Sequence, residues 1–142
     1  MRNARVKLDV AFEEQLPYAI EMVWAEITDK SAISAWLMAT NDFKPAVGCR
    51  FRMKRHTDEW VDAEVIEFEP TRRMVWSLAV DVSNPPSKVT FMLARDGVGT
   101  RLRLRHVGEF DPLVVGVFRD GWPGWMRALV ELISRGPLGG TP

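Results

Sequence analysis

Between residues 49 and 107 the chain changes face at nearly every step, and only past residue 121 does it switch to helical steps of three and four. A period of two is the signature of strands that bury one side. Residues 49–55 show it clearly, with Phe51 and Met53 opposite Arg50, Arg52 and Lys54. Residues 59–69, 73–81, 88–95 and 100–107 continue the run. Glu69-Pro70-Thr71-Arg72 suits a hairpin, and Asp96-Gly97-Val98-Gly99 is a stronger hairpin signal. Asn84-Pro85-Pro86 separates the two. Trp122, Met126, Leu129 and Ile133 then recur at helical spacing. Consecutive antiparallel strands form a curved meander whose apolar face must be covered. The C-terminal helix is the element long enough to cover it.

The N-terminal part completes the plan. Residues 5–13 alternate, with Val6, Leu8, Val10 and Phe12 on one face. Pro17 opens a helix carrying Ile20, Val23, Trp24 and Ile27, and Ser31 caps a second short helix through Trp36. The expected fold is α+β: a six-stranded curved antiparallel sheet gripping one long helix, with two short helices after the first strand. Its 142 residues are one domain's length. The expectation is a single domain over residues 1–135 and a frayed tail over 136–142, where Gly136-Pro137-Leu138-Gly139-Gly140-Thr141-Pro142 has linker composition.

Charge and cysteine usage narrow the function. Nineteen basic residues cancel nineteen acidic ones, which argues against a nucleic-acid binder. Cys49, alone, forms no internal disulfide and supplies no cysteine-rich zinc site. The N-terminus lacks a signal-peptide core, and no apolar run is long enough for a membrane span. The expectation is a soluble cytoplasmic domain without metal or cofactor.

Several segments together resemble the START-like (SRPBCC) superfamily, specifically the group named after the activator of heat-shock-protein-90 ATPase. These are Val23-Trp24-Ala25-Glu26-Ile27-Thr28-Asp29 with Ile33-Ser34-Ala35-Trp36, then Pro45, Gly48 and Phe51. Glu64-Val65-Ile66-Glu67-Phe68-Glu69-Pro70 follows, leading into Met74-Val75-Trp76. Thr100-Arg101-Leu102-Arg103-Leu104-Arg105-His106 and Gly121-Trp122-Pro123 close the series. The resemblance implies the helix-grip fold of START-like and Bet v-like proteins, with a cavity between sheet and helix. It says little about the ligand. It also transfers the chaperone-activating role poorly, because the eukaryotic cochaperone carries most of that role on an additional N-terminal domain to which nothing in these residues corresponds.

Aromatic and thioether side chains suit a flat apolar ligand, since they offer large contact area and adaptable shape. Six Trp and seven Phe stand against one Tyr. The cavity candidates are Trp36, Phe51, Met53, Trp76 and Phe91 below, with Trp122, Met126 and Leu129 on the lid helix. Such side chains equally make an ordinary core. His106 follows Leu102 and Leu104 on the inward face, where it serves either a ligand or the packing; His56, beside a loop, is expected to be exposed. Cys49 with a histidine lacks any local nucleophile signature, and Asp62, Glu64 and Glu67 read as solvated strand surface. Arg101, Arg103 and Arg105 form a row, as do Arg50, Arg52 and Lys54, and both read as an outer ladder paired with carboxylates. The leading expectation is a domain binding a small apolar ligand. A protein-interaction or cochaperone-like module is the alternative, using exposed Trp residues. A cavity enzyme of the cyclase type is the third, with no catalyst named.

Overall fold

The computed structural model describes residues 5–55, 59–80 and 85–135. The chain forms β1 (Val6–Leu16), α1 (Ile20–Thr28), α2 (Lys30–Trp36), β2 (Ala39–Asn41) and β3 (Arg50–Lys54). It continues through β4 (Trp60–Glu69), β5 (Arg73–Ala79), β6 (Ser87–Asp96), β7 (Gly99–Phe110) and α3 (Pro112–Ser134). All strands join one curved, unclosed antiparallel sheet in the order β1-β7-β6-β5-β4-β3-β2. The meander and the covering helix are therefore present as the alternation requires. His56, Asp81, Asn84 and the 136–142 tail lie outside the described residues.

The sheet has seven strands rather than the expected six. The addition is β2, whose three residues pair with Arg52–Lys54 at the sheet edge. Ala39-Thr40-Asn41 is too short and too polar to show alternation. Its position comes from a tertiary contact instead: the Thr40 N–H donates to Ser34 Oγ on α2 at 3.0 Å.

Two helix starts also differ from the sequence expectation. α1 begins at Ile20 rather than Pro17. The Tyr18 carbonyl accepts from Thr100 Oγ1 at 2.7 Å, which commits residue 18 to the start of β7 instead of a helical turn. The same close approach explains Gly99, where a Cβ would sit 2.3 Å from the Leu16 carbonyl oxygen. The cap of α2 is Asp29, not Ser31: Asp29 Oδ2 accepts from the Ala32 N–H at 2.9 Å.

α3 buries Val115, Phe118, Trp122, Met126, Leu129 and Ile133, extending the helical spacing two turns before Trp122. Pro123 lies on the exposed side of α3, where the hydrogen bond it cannot make is open to water. Facing the helix are the inward side chains of the strands, among them Phe51, Val65, Trp76, Phe91 and Leu104. Burying each large side chain contributes about 1.5–3 kcal/mol. On β1 the burial is uneven, since Leu8 and Leu16 are buried while Val6 is exposed near the strand end.

The outer face carries the expected ladder. Arg50 pairs with Glu64 at 3.6 Å and Arg52 with Asp62 at 3.2 Å, across β3 and β4. The β7 arginines reach β1: Arg103 to Glu13 at 3.0 Å and Arg105 to Asp9 at 2.8 Å. Glu67 serves Arg73 of β5 at 2.8 Å. Among the described residues, no helix is long and apolar enough to cross a membrane.

The capping assignment has a direct consequence. Asp29→Ala should cost about 1 kcal/mol, read as a lower denaturant midpoint. Ser31→Ala should leave the midpoint within about 0.5 kcal/mol of the parent. The reverse ranking would contradict the assignment.

Candidate functional site

Strict alternation along β7 turns His106 inward with Leu102 and Leu104, and there it is fully buried. Its two ring nitrogens are both engaged. The Trp122 indole Nε1–H donates to His106 Nδ1 at 3.0 Å. Nε2 therefore carries the proton and donates to Ser87 Oγ at 2.8 Å. The Ser87 hydroxyl in turn donates to the Leu78 carbonyl, 3.2 Å away. One imidazole thus links α3, β7, β6 and β5. Phe118 packs edge-on to it, with ring centroids 4.6 Å apart. Gly108 leaves the space for Ser87, since a Cβ there would fall 2.4 Å from Ser87 Cβ.

Burial pushes the His106 imidazole down to about 3. A protonated ring would also have to turn a second N–H toward the Trp122 donor. His106 is accordingly a neutral connector, with no free lone pair for base chemistry.

The other cavity candidates are gathered in one place. Trp36 of α2 meets Phe91 at 6.3 Å, and Trp76 of β5 lies 4.8 Å from Phe91 and 5.2 Å from Phe51. Met53, Trp122, Met126 and Leu129 join the same cluster. None of these side chains is more than 2% exposed, so at this depth the sheet and helix are packed on one another. Phe43, which has no periodic neighbours in sequence to mark it, also belongs here: its ring lies 5.0 Å from Phe51 and 6.1 Å from Trp76.

A groove opens at the margin of this core, between α2 and α3. Leu37 and Met38 follow the end of α2 and form one wall with Ala39. Val117, Phe118, Gly121 and Trp125 of α3 form the other. The volume is about 440 Å³. Lys54 and Arg55 stand at the rim, with Arg55 Nη1 held 2.6 Å from Glu59 Oε1. Trp125 stacks edge-on against Trp122 at 5.1 Å, and Gly121 makes room for its ring, since a Cβ would come within 2.8 Å of it. The cavity candidates expected from the sequence do not line this groove. Leu37-Met38 is a pair of adjacent apolar residues that neither a helical nor a strand period singles out.

The remaining chemistry-bearing residues are dispersed. The Cys49 sulfur packs against the core and has backbone groups as its hydrogen-bond partners, accepting from the Lys44 N–H at 3.2 Å and lying 3.3 Å from the Asp42 carbonyl. Among the described residues, no hydrogen bond joins it to His106, and no His, Cys, Asp and Glu cluster could hold a metal ion.

The buried imidazole makes stability depend on pH with a definite sign. Unfolded, His106 takes a proton near its ordinary value of 6.5, whereas folded it stays neutral down to about 3. The unfolded state binds more protons in that window, so its contribution is full above 6.5 and lost as pH falls. Urea unfolding between pH 6 and 4.5 should show a loss of about 1.4 kcal/mol per pH unit. Asp9, Glu21 and Glu67, whose carboxyls are held below their usual range chiefly by hydrogen bonds, act with the same sign but at lower pH. A flat profile through pH 5 would show that the imidazole titrates normally.

Comparison with known proteins agrees with this architecture. Residues 17–134 match the family described as Activator of Hsp90 ATPase homolog 1-like protein. Protein MLL2253 from Mesorhizobium loti is 33% identical, superposes with a TM-score of 0.81, and is covered over 99% of its length by 92% of this chain. CalU16 from Micromonospora echinospora shares the fold at 21% identity and a TM-score of 0.73, with 94% of this chain and 87% of that one aligned. DynU16, from the dynemicin biosynthetic locus, also shares it at 21% identity and a TM-score of 0.72, over 94% of this chain and 49% of that one. No curated protein matches. Taken with the seven-stranded sheet gripping α3, the match identifies the chain as a member of the Activator of Hsp90 ATPase homolog 1-like family, with an SRPBCC-type fold.

Proposed function

We propose that this domain binds a small, flat, apolar ligand in the groove between α2 and α3. The observation that carries the reading is the groove itself: about 440 Å³, walled by Leu37, Met38, Val117, Phe118 and Trp125, where the deeper sheet–helix contact is closed. Ligand sites are commonly clefts of about 300–1,000 Å³ with apolar walls and a few polar groups. Trp125 offers a ring face or edge, and Met38 an adaptable thioether. Polar selection falls to the rim at Lys54 and Arg55, because both His106 nitrogens already have protein partners.

Thermal unfolding against a panel of small aromatic compounds tests this. A ligand at one hundred times its dissociation constant adds about 2.7 kcal/mol, a rise of a few degrees in a domain of this size. Met38→Trp, which fills the groove, should abolish the rise. A shift that survives Met38→Trp would move the ligand elsewhere.

One observation favours a protein-docking role beside this. Trp60 is 38% exposed, with Arg52 and Lys54 over its ring at 4.8 Å and 5.7 Å. An exposed aromatic with cationic side chains packed on its ring suits a partner protein's surface. Trp60→Ala should weaken capture of such a partner tenfold or more while leaving small-molecule binding unchanged; equal capture by the variant would remove the docking reading.

A further inference from the structure

The two edges of the sheet are protected unequally. β2, at one end, is three residues long, and a very short strand is one ordinary way to blunt an edge. β1, at the other end, runs for 11 residues without proline or glycine, and its register with β7 is unbroken from Val6 to Leu16. Among the described residues, no strand pairs with its outer edge. Every second residue of an edge strand turns its N–H and C=O away from the neighbouring strand. This edge therefore offers a row of backbone donors and acceptors, which is a template for another strand.

The side chains along this edge are incompletely covered. Val10 and Phe12, on the inward face, are half-buried, and Val6 is 38% exposed. Where β1 meets α3, a depression of about 340 Å³ lies between Phe12 and Glu14 on one side and Pro123, Met126, Arg127 and Val130 on the other. It is on the opposite flank of α3 from the groove, which Val117, Phe118, Gly121 and Trp125 wall. On the outward face, Asp9 and Glu13 stand beside Arg105 and Arg103. Lys7 is exposed and, among the described residues, holds no ion pair.

We propose that β1 is a self-association edge: a second copy of this chain adds its own β1 antiparallel, about a two-fold axis through Val10, and the two sheets run on as one. The charge pattern selects both the occupant and the register. An axis perpendicular to the sheet keeps the two apolar faces on one side only if it passes through a residue, because a one-residue slip exchanges the faces. Through Val10, it pairs residues 6–14 of each copy and sets Lys7 opposite the partner's Glu13, twice. Leu8 then faces the partner's Phe12, and Asp9 the partner's Ala11. Val6 comes beside the partner's Glu14 and diagonal to its Phe12, at the mouth of the depression. The neighbouring axes are worse. Through Ala11, Asp9 would oppose Glu13 twice, and through Asp9 that carboxylate would oppose itself. Through Leu8 the pairing shrinks to residues 6–10, and through Phe12 no opposite charges meet. The strand is thus complementary to itself in one long register.

Sedimentation of the full chain, from micromolar to submillimolar concentration, should show a reversible species of twice 16.2 kDa. Lys7→Glu and Glu13→Lys should each weaken it at least tenfold, since like charges then stand opposite at two places. Mixed in equal amounts, the two variants should form a heterodimer, because each lysine again meets a glutamate. A parent that stays monomeric throughout overturns the interface. So does a Lys7→Glu variant that dimerises as the parent does, or a pair of folded variants that stay apart when mixed. Glu13 also holds Arg103, so should Glu13→Lys fail to fold, disulfides read the register in a Cys49→Ser background. Val10→Cys places two thiols across the axis, at the Cα separation of about 4.5–5.5 Å that a disulfide spans. It should cross-link under oxidised glutathione, whereas Ala11→Cys, opposite the partner's Asp9, should not. Equal cross-linking at both positions, or at neither, overturns the register and the proposal with it.

Discussion

Everything in this molecule depends on laying one apolar helix stripe across one apolar sheet face. An isolated curved sheet would leave its concave side in water, and an isolated α3 would expose Phe118, Trp122, Met126 and Leu129. Apolar burial supplies the attraction but is not directional, so by itself it would let the helix slide or rotate. The chain from Trp122 through His106 and Ser87 to Leu78 supplies direction. It is fully satisfied, it is buried, and it has one tautomer. A shift of α3 by one residue would strand a donor and an acceptor in the core, which is costly.

The outer face works under different rules. Its arginine rows pair with Asp9, Glu13, Asp62 and Glu64 in water, where each pair contributes only about 0–1 kcal/mol. Their value lies in keeping that face polar and in disfavouring slipped strand registers, since a one-residue slip would bring charge into the core. The two faces thus divide the labour: one holds the fold together and the other keeps it from pairing wrongly.

Closure of the deep core bears on where a ligand can go. Aromatic richness reads in a sequence as either lining or filling, and here Trp36, Trp76 and Phe91 fill. One open groove lies instead at the margin between two helices: α2 runs out at Leu37 and Met38 while α3 passes by, and neither covers the step between them. Such margins are set by the relative placement of helices, a quantity no local pattern encodes.

Alternation and spacing alone determined the antiparallel meander, the covering helix, the inward turn of His106 behind Leu102 and Leu104, and the outward charge rows, because side-chain period reports directly on which face is buried. The family resemblance pointed to the same fold. Tertiary structure alone decided the rest. It placed Ser87 and Trp122, 19 and 16 residues from His106, on its two nitrogens. It made a seventh strand of Ala39–Asn41 through a contact with α2, and it turned Phe43 from a loop into the core. These are encounters between segments distant along the chain. They arise only once the sheet has curved and α3 has docked, and no window of neighbouring residues contains them.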